Sequence, residues 1–289
     1  MKPIHKEIHS YLGLCKVKIS LFSSLSAATG FTLSAGQLKP QMTAMSLGVL
    51  LLACGASALN QYQERDIDGL MPRTKKRPIP SNKVKPAGAL YFSLVLVCSG
   101  LFTLLLVGGV SVLLLGLLAV LWYNGVYIFL KRKTSFAVIP GAFVGTLPVA
   151  VGWVAGDGGL YDPKLWMICF FFFMWQVPHS WLFILKYGSE FENAGLPSLT
   201  DLFSRAQLLR INFIWISAVG VSCLLVTMSG AIRNSIVDFS LFALSAWLVG
   251  NGVKLLGTEG KESRYSFAFN RINIYMFLVM FSLTVDKLF

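Results

Sequence analysis

Three carboxylates, Glu64, Asp66 and Asp68, stand within five residues of one another in a chain of 289. They are part of the stretch Asn60-Gln61-Tyr62-Gln63-Glu64-Arg65-Asp66-Ile67-Asp68-Gly69-Leu70-Met71-Pro72-Arg73-Thr74-Lys75-Lys76-Arg77-Pro78. Asn60, Glu64 and Asp68 are spaced i, i+4, i+8. On a helix that runs this far they lie along one face, drifting about 40° per step over ~12 Å. One amide oxygen and two carboxylates make a hard-oxygen site. Such a site suits Mg²⁺, which takes one or two carboxylates, keeps waters and is completed by substrate phosphates. Asp66 is out of step and either assists or faces away. The next turn brings Arg73, Lys75, Lys76 and Arg77. These can grip phosphate, with arginine suited to two-point contacts. A solvated loop between two helices is the other account of the same residues.

The elements that carry this motif follow from composition. Hydrophobic residues make up 55% of the chain and charged residues only 13%, against about 25% charged in an ordinary soluble domain. Mean hydropathy is +0.66. These values exclude a soluble globular enzyme, a disordered chain and a fibrous protein, and imply a single all-α, polytopic membrane domain over 1–289. Charge-free runs place seven spans at 19–38, 40–63, two within 86–130 separated at Gly108-Gly109, 134–156, 165–185 and 211–232; an eighth, 236–256, includes Asp238 near one end, and a ninth, 269–288, is charge-free only over 272–285. Nine spans with the N-terminus inside leave 21 of the 25 Lys and Arg in cytoplasmic segments. That asymmetry is the positive-inside pattern. It accounts for the net charge of +12 without nucleic acid as a partner. The basic N-terminus precedes an apolar run too long for a signal peptide. A bacterial inner membrane is the expected location.

The same residues resemble the first aspartate-rich motif, N-x-x-x-D-x-x-x-D, of the intramembrane aromatic prenyltransferases of the UbiA superfamily. The longer stretch, N-x-x-x-E-R-D-I-D-G-L-M-x-R-T-x-x-R-P-I-P, is similar to one branch, the protohaem IX farnesyltransferases. Trp175-Gln176-Val177-Pro178-His179 resembles the W-Q-x-P-H-F of that branch. Lys186-Tyr187, Glu190-Phe191 and Ala194-Gly195-Leu196-Pro197 resemble its K-Y-x-x-D-Y-x-x-A-G-x-P. Leu130-Lys131-Arg132-Lys133-Thr134 resembles its L-K-R-x-T. The pattern departs at Glu64 and Glu190, where Asp is usual, at Ser180, which replaces Phe, and at Ala137, which replaces Asn.

The resemblance implies a helical bundle around an intramembrane cavity, with farnesyl diphosphate as donor and haem B as acceptor. Asn60, Glu64 and Asp68 are then the catalytic metal-binding residues for Mg²⁺, and Glu190 a further metal ligand. Arg73, Arg77 and Lys131 bind diphosphate, and Lys186 and Glu190 complete a second site after the sixth span. His179, in an otherwise apolar helix, is a functional residue by position. It can ligate haem iron or bond a propionate, or simply bond a neighbouring helix. Haem A synthase or a terminal-oxidase assembly pathway follows as a partner by analogy alone.

Other residues are read more plainly. Cys15, Cys54, Cys98, Cys169 and Cys223 lack metal or disulfide spacing and act as small hydrophobes. His5 and His9 get no role. Phe170 to Phe173 line a prenyl cavity or, more commonly, pack against helices and lipid. The competing functions are a prenyltransferase for a quinone precursor, a transporter, and a structural oxidase subunit. A transporter needs ionisable groups at the membrane midplane, whereas these carboxylates gather at the cytoplasmic edge.

Overall fold

The computed structural model describes residues 2–257 and 262–287, without the side chains of 2–6 and 262–263, so His5 and Lys261 lie outside what it describes. Among the described residues every regular element is helical. Lys2–Leu14 forms α1 and Val17–Ala35 forms α2. Pro40–Gln63 is α3, started by a proline in its first turn, where the missing N–H costs nothing. A four-residue α4, Arg65–Asp68, follows at once. Pro86–Val120 is α5, which runs through a π-helical turn at Leu121–Tyr127 into α6, Ile128–Lys131. Then come α7, Val138–Ala142, and α8, Leu147–Ala155. Pro163–Asn193 is α9, Arg205–Met228 is α10, Ser235–Gly252 is α11 and Glu262–Asp286 is α12.

Seven of these helical stretches are long and apolar enough to cross a membrane, which corrects the expected count of nine. The difference has two sources. Helix α2 is absent from the seven, and its Ser and Thr residues explain why. The two spans expected in 86–130 form one continuous stretch, Pro86–Lys131. Straight, those 46 residues would extend ~69 Å, against a hydrocarbon core of about 30 Å. They do not run straight. At Gly109 the backbone turns to φ 67° and ψ −161°, a conformation essentially confined to glycine. Beyond it the chain folds back, so that a Cβ on Gly116 would lie 2.7 Å from Leu104. On a straight helix those residues would be ~18 Å apart.

The bundle packs by close backbone approach. A Cβ on Gly152 of α8 would fall 1.8 Å from the Ala27 carbonyl oxygen, and one on Gly30 of α2 would fall 2.1 Å from that of Val149. Small residues at such crossings are how membrane helices gain van der Waals contact without a hydrophobic driving force. Helix α3 packs on α5, and α9 on α10 and α12. Helix α12 returns to α2, where Thr284 donates to Thr29 at 3.4 Å. Of the phenylalanine run, Phe171 and Phe172 are buried in the main core and Phe170 is exposed. Phe102, Leu106, Phe239 and Phe281 are exposed on the outside, as a lipid-facing surface requires.

Candidate active site

The acidic motif does not ride on one unbroken helix. Helix α3 stops at Gln63, and Glu64 adopts φ −102° and ψ 10° before α4 begins. The i, i+4 bonding nevertheless persists across the break. The Glu64 N–H donates to the Asn60 carbonyl at 2.9 Å, and the Asp68 N–H to that of Glu64 at 2.8 Å. Asn60, Glu64 and Asp68 are therefore stacked and all buried, with 3%, 4% and 1% of their surface exposed. Asp66 faces away. Its carboxylate is exposed and pairs with Arg132 at 3.2 Å, while Arg132 also donates to the Gln63 carbonyl that ends α3.

Each buried carboxylate has its own cation, drawn from a different segment. Lys131, at the end of α6, donates to Glu64 Oε1 at 2.6 Å. Asn60 Nδ2 donates to Glu64 Oε2 at 2.8 Å. Burial by itself raises the Glu64 carboxyl, but the Lys131 ammonium beside it, with the Asn60 bond and the charge of Lys16, holds it below the ordinary value. Arg77 Nη1 donates to both oxygens of Asp68, at 2.8 and 2.7 Å. The loop between them is tied down by Thr74, whose hydroxyl donates to the Asp68 carbonyl at 2.8 Å. Buried charges persist only when paired and hydrogen-bonded, and each of these two carboxylates has both an ion-pair partner and hydrogen bonds.

The second predicted segment meets the first. The Arg73 N–H donates to Glu190 Oε2 at 3.1 Å, bringing the end of α9 against the cationic loop. The Arg73 guanidinium lies against the rings of Phe183 (5.1 Å) and Tyr187 (5.2 Å), and its buried Nε has no partner among the described residues. Phe183 continues to Phe269 at 6.2 Å, and Phe269 to the His179 imidazole at 4.8 Å. Trp175 closes the other side of His179 at 4.7 Å. An aromatic path thus joins the charged cluster to His179, whose buried Nδ1 has no partner among the described residues. Trp175 itself is anchored by donating Nε1–H to the Ile272 carbonyl at 3.0 Å. Lys186 stands apart: it is exposed, with its ammonium over Tyr187 at 5.3 Å.

Two features escaped the sequence reading. The π-helical turn widens the backbone so that buried Asn124 faces α3. There it donates to the Ala56 carbonyl and to Gln63 Oε1, and Gln63 returns a bond to its carbonyl. Such turns often mark functional sites, but nothing in its residue types signals one. The other is Lys16, whose ammonium donates to Asn60 Oδ1 at 2.6 Å. Its pKa is pushed down to about 7, first by loss of hydration and then by Arg77. In the sequence it is one more lysine ahead of an apolar run.

The donor set fits a divalent cation. Among the described residues no three His, Cys, Asp or Glu side chains converge as a metal cluster. Mg²⁺ needs only one or two carboxylates when phosphate oxygens and water complete its shell. The partnerless Arg73 Nε beside these carboxylates fits the anion that would do so.

Comparison with known proteins gives one family. The model for the UbiA prenyltransferase family matches residues 21–280. The chain is 32% identical over 284 residues to a protoheme IX farnesyltransferase of Oleidesulfovibrio alaskensis, covering 95% of each chain. It is 36% identical over 219 residues to the enzyme of that name from Geobacter sulfurreducens, covering 76% of this chain and 81% of the relative. Among solved structures, a UbiA homolog from Archaeoglobus fulgidus bound to GPP and Mg²⁺ superposes with a TM-score of 0.70. The match covers 94% of this chain and 99% of that one at 15% identity.

Proposed function

The chain belongs to the UbiA prenyltransferase family, and from that premise we propose that it transfers the farnesyl group of farnesyl diphosphate to a vinyl group of haem B. Water adds in the same reaction, and the products are haem O and diphosphate. The observation that carries this reading is the path from the buried Asn60–Glu64–Asp68 group through Arg73, Phe183 and Phe269 to His179. One end suits a diphosphate and the other a porphyrin.

The difficult step is ionisation of the allylic C–O bond. Asn60, Glu64 and Asp68, with Glu190 from α9, would hold a Mg²⁺ ion, which when bound would supply Lewis-acid neutralisation of the departing diphosphate. Arg73, Arg77 and Lys131 bind the diphosphate oxygens, and Lys186, exposed over the Tyr187 ring, would have to swing inward to join them. Arg77 and Lys131 fix the Asp68 and Glu64 carboxylates by direct ion pairs and turn their remaining donors to the substrate. These fixed charges act in a site with little water, where they are strongest. The aromatic rings between the two ends exclude water and present π faces to the allylic cation. The vinyl carbon attacks that cation, and the new cation next to the porphyrin takes a water oxygen and releases a proton. His179 receives the haem through its free Nδ1, as iron ligand or as propionate partner. The bacterial inner membrane, with the N-terminus in the cytoplasm, is the setting that the lysine and arginine distribution supports. Haem O made there would pass to a haem A synthase or to terminal-oxidase assembly.

The purified protein, given haem B, farnesyl diphosphate and Mg²⁺, is expected to yield a heavier haem by chromatography and mass spectrometry. Prenylation of 4-hydroxybenzoate or dihydroxynaphthoate with haem B left unchanged would replace the haem reading with a quinone-precursor one.

A further inference from the structure

Lys16 lies at the junction of α1 and α2, and its backbone is in the left-handed region at φ 45° and ψ 51°. A non-glycine residue held there stores strain that the surroundings must over-determine, and such residues cluster at functional sites. Here the surroundings are specific. Gln61 Nε2 donates to the carbonyls of Gly13 and Leu14, both at 3.0 Å. The Ser20 hydroxyl donates to the Cys15 carbonyl at 2.8 Å, and the N–H groups of Ile19 and Ser20 donate to Lys16's own carbonyl. The junction is thus fastened to α3 one residue past Asn60, and the lysine side chain is directed across to the Asn60 amide oxygen.

This pairing is unlike the other two. Lys131 and Arg77 each meet a carboxylate, whereas the partner of Lys16 is a neutral amide. An ammonium carries three donors, and among the described residues Lys16 uses one of them, on Asn60. The nearby Glu64 and Asp68 charges are already paired directly with Lys131 and Arg77, so an arriving anion would give this ammonium a charged partner of its own. The oxygen it holds is also the one proposed for Mg²⁺, so metal and ammonium compete for Asn60. We propose that Lys16 is a diphosphate-binding residue that rests on the Asn60 amide oxygen and swings to the diphosphate when the magnesium salt enters. The inference rests on the proposed role of the acidic group but not on the identity of the prenyl acceptor.

The test uses the full-length protein in detergent, with inorganic pyrophosphate plus Mg²⁺ as one probe and Mn²⁺ alone as the other. Pyrophosphate binding is read by calorimetry and by the rise in melting temperature, and Mn²⁺ binding by electron paramagnetic resonance. Lys16→Gln keeps a donor for Asn60 and removes the charge. It is expected to weaken pyrophosphate binding at least tenfold while Mn²⁺ binding holds or tightens, and Lys16→Arg is expected to stay within threefold of the parent. Pyrophosphate binding within twofold of the parent in Lys16→Gln would overturn the proposal. So would a loss of Mn²⁺ binding with pyrophosphate binding intact, because Lys16 would then only brace Asn60. If the glutamine variant does not fold, Lys16→Met is measured by the same criteria. Failure to prenylate haem with pyrophosphate binding still dependent on Lys16 would count against the acceptor and not against this role.

Discussion

Glu64 and Asp68 each lean on one cation from another segment, at 2.6 and 2.7 Å, so a small change of side chain acts on charge before it acts on shape. Glu64→Gln and Asp68→Asn keep volume and most hydrogen bonds but remove the charge that a metal needs. Each is expected to lower the rate of transfer by ~10²–10³, the usual loss when one electrostatic contact to a developing charge is removed. Initial rates at saturating haem B measure it, and near-parental rates in both variants at limiting Mg²⁺ would remove them from the metal site. His179 makes a separate prediction at the same scale. Its Nδ1 is buried and free between two rings. His179→Ala is expected to lower haem B affinity, and a Soret band identical to the parent's would exclude iron ligation. The clustering of Asn60, Glu64 and Asp68 was readable from spacing because i, i+4 neighbours stack along a helix. Lys16 was not, since its role depends on a contact across 44 positions of sequence.

Helices place these side chains by breaking in specific places. Helix α3 stops one residue before Glu64, α9 carries Pro178 within it and departs from helical angles at Tyr187, and α5 reverses at Gly109. A proline inside a helix removes one backbone bond and crowds the preceding turn, which loosens α9 next to His179. Gly109 is the clearest case for a test. Nothing lies within 4 Å of a Cβ built there, so a substitution meets backbone strain alone. Gly109→Ala is expected to cost ~1–3 kcal/mol, the price of a forbidden backbone region, seen as a lower melting temperature in detergent. Gly152 is the opposite case, because a Cβ there would strike the Ala27 carbonyl at 1.8 Å. Gly152→Val is expected to abolish folded yield by size-exclusion chromatography, while Gly159→Val, with open space around it, leaves yield unchanged. The Gly108-Gly109 break was legible from composition, since only glycine supplies such a turn cheaply. The π-helical turn was not, because it is imposed by the fit of Asn124 against Gln63 and Ala56.

Across the whole molecule, the proposed orientation counts α2 as a crossing and the stretch that folds back at Gly109 as two. Alternating crossings would then leave 21 of 25 basic residues, and the acidic group, on the cytoplasmic side. On that proposal the chain enters from the cytoplasm and Phe289 lies outside. Alkaline phosphatase fused after Phe289 is expected to be active and a fluorescent protein at the same point dark; the reverse result would invert the orientation. The bundle closes through α12 against α2, so the end of the chain supports the helix that follows Lys16.

Composition and periodicity were enough to establish a polytopic helical membrane protein, because the bilayer forces apolar stretches of a fixed length and polar breaks between them. Motif spacing was enough to locate the carboxylates, since i, i+4 contacts are local. Three matters were left to tertiary structure: which cation serves which carboxylate, how Arg73 links the acidic group to His179, and how many spans stand as separate helices. Each depends on segments far apart in the chain being brought within a few ångströms, and no local pattern records where a distant side chain will arrive.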